Sequence, residues 1–294
     1  MIEKDLVFHS AGLKLVGTAY LPDNLPAGEK RPAVLCCLGM RADRKAILPA
    51  FGRAFAQHGY VAFVFDYRGF GDSEGTKNRV ISRERDEDII NATTFLGLQP
   101  EVDANRIALF GISYGGASVI STAAADPRTK AVVSIVGFGS GDRWMRNSRR
   151  LWEYWALRKR VEKDREHRVL VGASEYVDDT SILVRTPAEE NLADSGGAIA
   201  ANVSRMPLEI VDDIMSYAPE DVVDQIAPRP LLIIGAECDY LTGFEECLSL
   251  FEKAREPKQL HILPGLSHYE AYTKGFETVK RLSLDLFSKT IGTR

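Results

Sequence analysis

The sequence predicts an α/β fold in which a mostly parallel sheet is covered by helices on both faces. Three continuously apolar runs, at residues 33–38, 60–65 and 131–138, alternate with segments in which apolar residues recur every three or four positions. Strands that are buried on both faces have this uniform apolar character, and parallel strands require helical crossovers between them. A chain of 294 residues is long enough for one large domain of this class or for two ordinary domains.

The predicted elements follow a regular order on either side of one long interruption. Strands are predicted from alternating or uninterrupted apolar residues, and helices from apolar residues three and four apart. Before the interruption the order is strand 13–21, strand 33–38, helix 44–58, strand 60–65, helix 83–97, strand 106–110, helix 113–125 and strand 131–138. After it the order is strand 229–235, helix 243–256, strand 259–263 and helix 275–290.

Residues 140–227 form the interruption. They lack strand patterning, although 169–173 and 181–185 remain open as short strands, and their composition favours helices. The sequence therefore predicts a core domain made of residues 1–139 and 228–294. The mostly helical segment 140–227 is predicted to be a cap inserted after strand 131–138, taken as the sixth strand of the sheet.

Composition and charge exclude several classes of protein. Hydrophobic residues make up 45% and charged residues 27% of the chain, which is globular usage and excludes disordered and collagen-like proteins. The apolar runs are much shorter than the ~20 residues that cross a bilayer, so no membrane partner is expected. A net charge of −4 argues against a nucleic-acid partner for the whole chain.

Cysteine usage and the first residues predict a cytoplasmic protein. Residues 1–20 contain no apolar signal segment, and the four cysteines are too few for a disulfide framework. Cys36 and Cys37 are adjacent in an apolar run, which is typical of reduced core thiols. Neither metal-ligand spacing nor a glycine-rich phosphate loop is present, so no metal or organic cofactor is expected.

The sharpest motif is Gly-Ile-Ser-Tyr-Gly at 111–115, between a predicted strand and a predicted helix. Gly-x-Ser-x-Gly in that context is a nucleophile elbow. The turn is so tight that side chains two residues to either side of the serine would clash, and Gly111 and Gly115 avoid these clashes. Ser113 is therefore the predicted nucleophile, at the N-terminus of the next helix.

A nucleophilic serine needs a base, and the base needs an orienting acid, in the chain order serine, acid, histidine. Among the five histidines, His268 lies in a loop after the last predicted strand and is the predicted base. Asp239 lies just beyond strand 229–235 and is the predicted acid, because α/β sites are built at the carboxyl ends of strands. Asp142 and Glu237 remain alternatives.

Two backbone N–H groups are predicted to form an oxyanion hole. One belongs to Tyr114, directly after the nucleophile, and the other comes from the turn 38–42 and is assigned by position to Met40. Each donor of this kind stabilises charge that develops in the transition state, by about 3 kcal/mol.

At this point the sequence resembles the α/β-hydrolase superfamily. Residues 65–75, Phe-Asp-Tyr-Arg-Gly-Phe-Gly-Asp-Ser-Glu-Gly, look like the D-x-R-G-x-G-x-S segment of that family, most similarly its dienelactone-hydrolase-like and Xaa-Pro-peptidase-like branch. The resemblance implies an eight-stranded, mostly parallel sheet over 1–139 and 228–294, and it places Asp239 and His268 where the family keeps its acid and base. Leu38-Gly39 stands where members often carry His-Gly. Arg68 is expected to tie loops together rather than to contact substrate.

The segment 142–168 contains all three tryptophans and ten Lys/Arg against five Asp/Glu. Helical spacing predicts an aromatic stripe through Trp144, Trp152 and Trp155, which either faces the pocket or packs on the core. The predicted substrate-binding residues are Trp144, Trp152, Met206 and Tyr217. The arginines either attract an acidic substrate or form a solvated face, and Trp and Arg together also suit a homodimer interface.

We expect a serine hydrolase that cleaves a carboxylic ester or related acyl bond of a small molecule through an acyl-enzyme. A thioester, lactone, amide or activated C–C bond is accessible to the same triad, because the pocket that decides the substrate lies in the cap. A non-catalytic ligand-binding protein would be expected to lose a triad member. An interaction scaffold would act through the basic segment.

Overall fold

An eight-stranded sheet organises the molecule. The computed structural model describes residues 1–23, 25–26, 28–184 and 205–292. The strands of this sheet are β1 (Ile2–Ser10), β2 (Leu13–Leu21), β3 (Arg31–Cys37), β4 (Val61–Phe65), β5 (Val102–Ile112), β6 (Thr129–Ile135), β9 (Leu231–Ala236) and β10 (Lys258–Leu263). Their order is β1-β2-β4-β3-β5-β6-β9-β10. β2 is antiparallel to both of its neighbours and every other pairing is parallel, which confirms the predicted fold class.

Helices cover the sheet, and further helices lie in the chain between β6 and β9. They are α1 (Leu48–Gln57), α2 (Ser82–Gly97), α3 (Tyr114–Ala125), α4 (Gly141–Asn147), α5 (Leu151–Val171), α6 (Glu209–Ser216), α7 (Phe244–Lys253) and α8 (Phe276–Thr290). α1 and α8 meet through aromatic contacts, with the rings of Phe51 and Phe276 centred 4.6 Å apart. α3 is buried along most of its length, and small residues such as Gly116, Ala117 and Ala123 let it lie close to the strands.

The first strand was not predicted. β1 is exposed along most of its length, and its polar residues hide the alternation that marks a half-buried strand. It lies at the edge of the sheet and pairs only with β2 among the described residues. An edge strand needs little apolar surface, because it pairs with a single neighbouring strand and buries side chains on only one of its faces.

The two strands left open at 169–173 and 181–185 do not form within the described residues. Residues 169–171 belong to the last turn of α5, which ends at Gly172 in the left-handed conformation, with φ 79°. Glycine adopts this conformation without steric cost, so it ends the helix despite the β-branched residues before it. A two-stranded sheet instead joins β7 (Tyr176–Asp178) to β8 (Arg205–Pro207).

The chain between β6 and β9 contains α4, α5, β7, β8 and α6, followed by 3₁₀ turns at Pro219–Asp221 and Val223–Ile226. α4 packs beside both α5 and α6. In the described part of the chain no helix is long and apolar enough to cross a membrane.

Candidate active site

Ser113 occupies a strained turn between β5 and α3. Its φ and ψ are 55° and −125°, and its N–H donates to the carbonyl of Ile135 at 2.8 Å. A Cβ on Gly111 would lie 2.2 Å from the carbonyl oxygen of Gly115, and a Cβ on Gly115 would lie 2.3 Å from that of Cys37. Neither position accepts a side chain, which is the steric reason for both glycines.

Ser113, His268 and Asp239 form one hydrogen-bonded row. Ser113 Oγ lies 2.9 Å from His268 Nε2, and His268 Nδ1 lies 2.8 Å from Asp239 Oδ2. His268 is fully buried in the loop after β10, and Asp239 follows β9. The three residues are distant in sequence and meet because parallel strands end at the same edge of the sheet.

The carboxylate of Asp239 is held by four donors. Its Oδ1 accepts from the N–H groups of Leu241 and Thr242, each at 3.0 Å, and its Oδ2 accepts from Thr242 Oγ1 at 2.8 Å and faces His268. Burial raises the pKa of this carboxyl, but the His268 ring and the Thr242 hydrogen bonds outweigh burial and hold the pKa below its usual value. Asp239 therefore stays ionised beside the imidazole.

Neither alternative acid contacts His268. Asp142 has a side chain that is 45% exposed and accepts from the Tyr154 hydroxyl at 2.7 Å. Glu237 accepts from the N–H of Gly265 at 2.7 Å. Asp239 is therefore the one of the three candidates that the fold brings to the histidine.

Met40 and Tyr114 both line the cavity that contains Ser113. Within the described residues, neither N–H donates to another acceptor. Tyr114 is the first residue of α3, where helical N–H groups have no partner inside the helix. The two N–H groups therefore remain the predicted donors of the oxyanion hole.

Arg85 is a residue of this site that the sequence analysis missed. Its Nη2 donates to the carbonyl oxygens of Leu38 at 2.6 Å and Gly39 at 3.4 Å, in the turn that ends with Met40. Arg85 is 2% exposed, and its guanidinium carbon lies 3.6 Å from the ring centroid of Tyr67. An arginine on α2 thus braces the turn that carries leucine in place of the usual histidine.

A signal for Arg85 was present in the sequence. It lies four, seven and eleven residues before Ile89, Ala92 and Leu96, which form the buried face of α2. An arginine on the apolar stripe of a helix lies on the face that packs against the core. Because the predicted helix 83–97 opens with a run of mixed charges, Arg85 was interpreted as part of a solvent-exposed first turn.

The cavity above Ser113 is mostly apolar. Its lining residues among those described are Gly39, Met40, Arg41, Ala42, Ile47, Ile112, Ser113, Tyr114, Trp144, Leu183, Leu241, Tyr269 and Tyr272. The Trp144 indole N–H donates to the carbonyl of Leu241 at 2.7 Å, so this ring is fixed in the wall. Such a lining suits an apolar group with few polar contacts.

Of the four residues that were predicted to bind substrate, one lines the cavity and three do not. Trp144 lines the cavity, whereas Trp152 is 65% exposed on α5. The predicted single stripe is wrong because α4 ends at Asn147 and α5 begins at Leu151, so the tryptophans lie on different helices.

The other two predicted binding residues lie away from the cavity. Met206 is buried in β8. The ring of Tyr217 stacks on that of Tyr114, and its hydroxyl donates to Asp86 at 2.9 Å. Neither is among the residues that line the cavity, which corrects their predicted contact with substrate.

Charged residues outside the cavity are mostly engaged with each other. Arg68 donates to Asp88 at 2.6 Å and to Glu87 at 2.8 Å, so it ties its loop to α2 as expected. Five arginines of the predicted cap each pair with a carboxylate: Arg143, Arg158, Arg160, Arg165 and Arg168. These pairs favour a structural role for the five arginines over capture of an acidic substrate.

No metal-binding group of three or more His, Cys, Asp or Glu occurs within the described ranges.

This strand order, with a histidine-linked serine directly after the central strand β5, is that of the α/β hydrolases. A family model described as "Serine aminopeptidase, S33" matches residues 28–270, and the chain belongs to this family of α/β hydrolases. The match does not distinguish the dienelactone-hydrolase-like and Xaa-Pro-peptidase-like branch from the rest of the superfamily.

Three relatives illustrate what the chain is similar to. The "Uncharacterized 31.7 kDa protein in traX-finO intergenic region" of Escherichia coli is 29% identical over 268 residues, 90% of this chain and 93% of its own. The polyketide transferase grgF of Penicillium sp. is 27% identical over 274 residues, 90% of each chain. The crystal structure of GrgF from Penicillium sp. sh18 gives a TM-score of 0.83 at 24% identity, with 99% of each chain covered. The thiohydrolase aneE of Aspergillus aculeatus is 35% identical over 126 residues, 42% of this chain and 38% of its own.

Proposed function

We propose that the protein is a serine hydrolase that cleaves a carboxylic ester of a small molecule through an acyl-enzyme on Ser113. The observation that carries this proposal is the row from Ser113 Oγ to His268 Nε2, at 2.9 Å, and from His268 Nδ1 to Asp239, at 2.8 Å. The row opens into an apolar cavity, where an acyl group can lie against the serine.

In the first half of the reaction Ser113 Oγ attacks the carbonyl carbon while His268 Nε2 takes the hydroxyl proton. Asp239 accepts a hydrogen bond from Nδ1, which fixes the tautomer and stabilises the imidazolium that forms. Collapse of the tetrahedral intermediate breaks the bond to the leaving alcohol. His268 returns the proton to the alcohol oxygen, and the acyl group remains on Ser113.

The negative oxygen of the intermediate accepts from the N–H groups of Met40 and Tyr114. Their positions must be fixed before charge develops, because reorganisation during the reaction would lose part of the stabilisation. Arg85 is a positioning residue here: by holding the carbonyls of Leu38 and Gly39 it sets the direction of the next N–H group, that of Met40.

In the second half a water molecule attacks the acyl carbon, and His268 Nε2 accepts its proton. The carboxylic acid leaves, and the proton returns to Ser113 Oγ. Residues 140–227 act in this proposal as a cap that supplies Trp144 and Leu183 to the cavity wall. Their aromatic and aliphatic surfaces favour apolar acyl groups.

The test is a panel of p-nitrophenyl esters with acyl chains of about two to twelve carbons. We expect Ser113→Ala to lose nearly all turnover, leaving at most a residual of about 10³-fold over water. The matched control is Ser118→Ala, the same change further along α3 at a buried hydroxyl without a partner among the described residues. Equal rates for wild type and Ser113→Ala would overturn the proposal, and so would failure of a fluorophosphonate to label Ser113.

A second candidate keeps the same residues and cleaves a thioester. The relative named a thiohydrolase favours it. The relative named a polyketide transferase favours transfer of the acyl group to an acceptor other than water. Thioester and oxygen-ester substrates with the same acyl group separate the two proposals through the ratio of their kcat/KM values. Adding an alcohol acceptor to the assay tests transfer, since a transferase forms the new ester faster than the free acid.

A further inference from the structure

The outward face of α5 carries a stripe of exposed side chains, in which Trp155 contacts residues of α5 itself, the ring of Tyr154 and the guanidinium of Arg158. Trp155, Lys159, Glu162, Glu166 and Leu170 recur at intervals of three and four residues, so they lie along one side of the helix. All five are exposed, with Trp155 at 53% and Leu170 at 85%. We call these residues, together with Lys163 and Val169 beside them, the α5 stripe.

The stripe faces away from the molecule. The buried residues of α5 are Tyr154, Leu157, Val161 and Asp164, on the opposite side of the helix. The ion pairs that α5 makes within the described ranges come from arginines at the flanks, namely Arg158, Arg160, Arg165 and Arg168. The lysines and glutamates of the stripe are thus left without such pairs in that part of the chain.

The order of residues along the stripe is self-complementary. A two-fold axis passing between Glu162 and Lys163 would lay a second α5 antiparallel to the first. Lys159 would then face Glu166 of the second copy, and Glu162 would face its Lys163. At both ends of the pair Trp155 would face Leu170, with Val169 beside it, so apolar groups flank the charged centre.

We infer that the α5 stripe is a homodimer interface in which two copies of α5 pack antiparallel about this axis. Isologous two-fold pairing requires a surface that complements itself, and the stripe satisfies this requirement in both charge and apolarity. An α5 of 21 residues is about 30 Å long, so the pair buries on the order of 1,000 Å² in total. This area lies at the low end for specific interfaces, and we expect a weak dimer whose population depends on protein concentration.

Sedimentation velocity on the full chain tests the inference, over a range from about 1 to 200 µM. Wild type should shift from monomer to dimer across this range. Lys159→Glu and Glu166→Lys should each weaken the dimer about tenfold or more, because each places like charges opposite one another twice. Lys289→Glu on α8 is the control, with the same change in charge at an exposed site elsewhere.

An equimolar mixture of the Lys159→Glu and Glu166→Lys proteins gives the sharpest readout. In the mixed dimer the Lys159→Glu copy is acidic at positions 159 and 166, and the Glu166→Lys copy is basic at the same two positions. Opposite charges then face each other at both contacts, so association should return. Trp155→Ala removes apolar surface instead of charge and should weaken wild-type association in high and low salt alike. Thermal melts of every variant establish that each is folded.

Three outcomes would overturn the inference. The first is a wild type that stays monomeric over the whole concentration range. This outcome includes a protein that stays monomeric but binds phosphatidylserine vesicles in a co-sedimentation assay, since the stripe would then contact a membrane surface instead of a second copy. The second is a dimer that neither charge reversal weakens. The third is a mixture that fails to associate although each variant is folded, since this would exclude the antiparallel register.

Discussion

At the scale of single residues, the surroundings of a carboxylate decide whether it can orient His268. Asp239 is buried and accepts from Leu241 and Thr242, whereas the side chain of Asp142 is half-exposed and accepts from the Tyr154 hydroxyl. We predict that Asp239→Asn lowers kcat about 10⁴-fold, because the amide favours the wrong imidazole tautomer. Asp142→Asn should change kcat less than about threefold. Steady-state kinetics of both variants on one ester check this, and the reverse ranking would reject Asp239 as the acid.

Arg85 acts on the reaction through the turn that it holds. We predict that Arg85→Met lowers kcat by about 10- to 100-fold and leaves KM nearly unchanged, because Met40 N–H then loses its fixed direction. Arg85→Lys should recover only part of the rate, since an ammonium cannot lie flat on the Tyr67 ring as a guanidinium does. The measurements are kcat, KM and the rate of fluorophosphonate labelling.

Arg68→Lys is the control for Arg85, since Arg68 also ties α2 to a loop but does not hold the Leu38–Gly39 turn. If Arg85 were only a structural residue, Arg85→Met and Arg68→Lys would both lower the free energy of unfolding and leave kcat unchanged. An unchanged kcat in Arg85→Met would therefore remove it from the site.

At the scale of elements, one arginine joins α4 to α7. Arg143 donates to Glu246 at 2.7 Å and to Glu220 at 2.6 Å, and Glu246 also accepts from the N–H groups of Gly139 and Ser140. Glu246 is fully buried and Glu220 nearly so. This network fixes the connection by which the chain leaves β6 for α4.

We predict that Arg143→Met destabilises the protein by about 3 kcal/mol, because two buried carboxylates lose their main cationic partner. Arg160→Met is the matched control: it breaks an exposed pair with Glu175 and should cost less than about 1 kcal/mol. Urea unfolding gives both values. Equal effects of the two substitutions would mean that the Arg143 network does not stabilise this connection.

At the scale of the whole molecule, Asp86 links α2 to the end of the inserted segment through the hydroxyl of Tyr217. Burial raises the pKa of Asp86 to about 7, with repulsion from Asp213 adding to the effect. The folded protein therefore binds this proton more tightly than the unfolded chain, in which a carboxyl has a pKa near 3.8. The stability that Asp86 contributes is fully present below about pH 4 and is lost as pH rises to about 7.

We predict that Asp86→Asn removes this part of the pH dependence. The free energy of unfolding of wild type, minus that of Asp86→Asn, should fall between about pH 4 and pH 7 and stay level above it. Urea titrations at several pH values measure this difference. A difference that is constant over the same range would show that the pKa of Asp86 is not raised in the folded protein.

The sequence by itself determined the parts that depend on local pattern. Continuous apolar runs located most strands of the core, because a strand covered on both faces has to be apolar throughout. Gly111 and Gly115 marked the turn at Ser113 by their spacing: the clash avoided at Gly111 is local, with Gly115, whereas the clash avoided at Gly115 is with Cys37 of β3. Chain order and strand ends then selected Asp239 and His268, which the structure brings within hydrogen-bond distance of each other and, through His268, of Ser113.

Tertiary structure alone decided which side chains face the cavity and which brace it. Arg85 and the carbonyl it holds at Leu38 are 47 residues apart, and no local pattern records a contact of that kind. Trp144 and Trp152 have the spacing of one helix, but a break between α4 and α5 sends one to the cavity and the other to solvent. The physical reason is that periodicity fixes the apolar face of an element, whereas the neighbour that covers this face depends on how the whole chain packs.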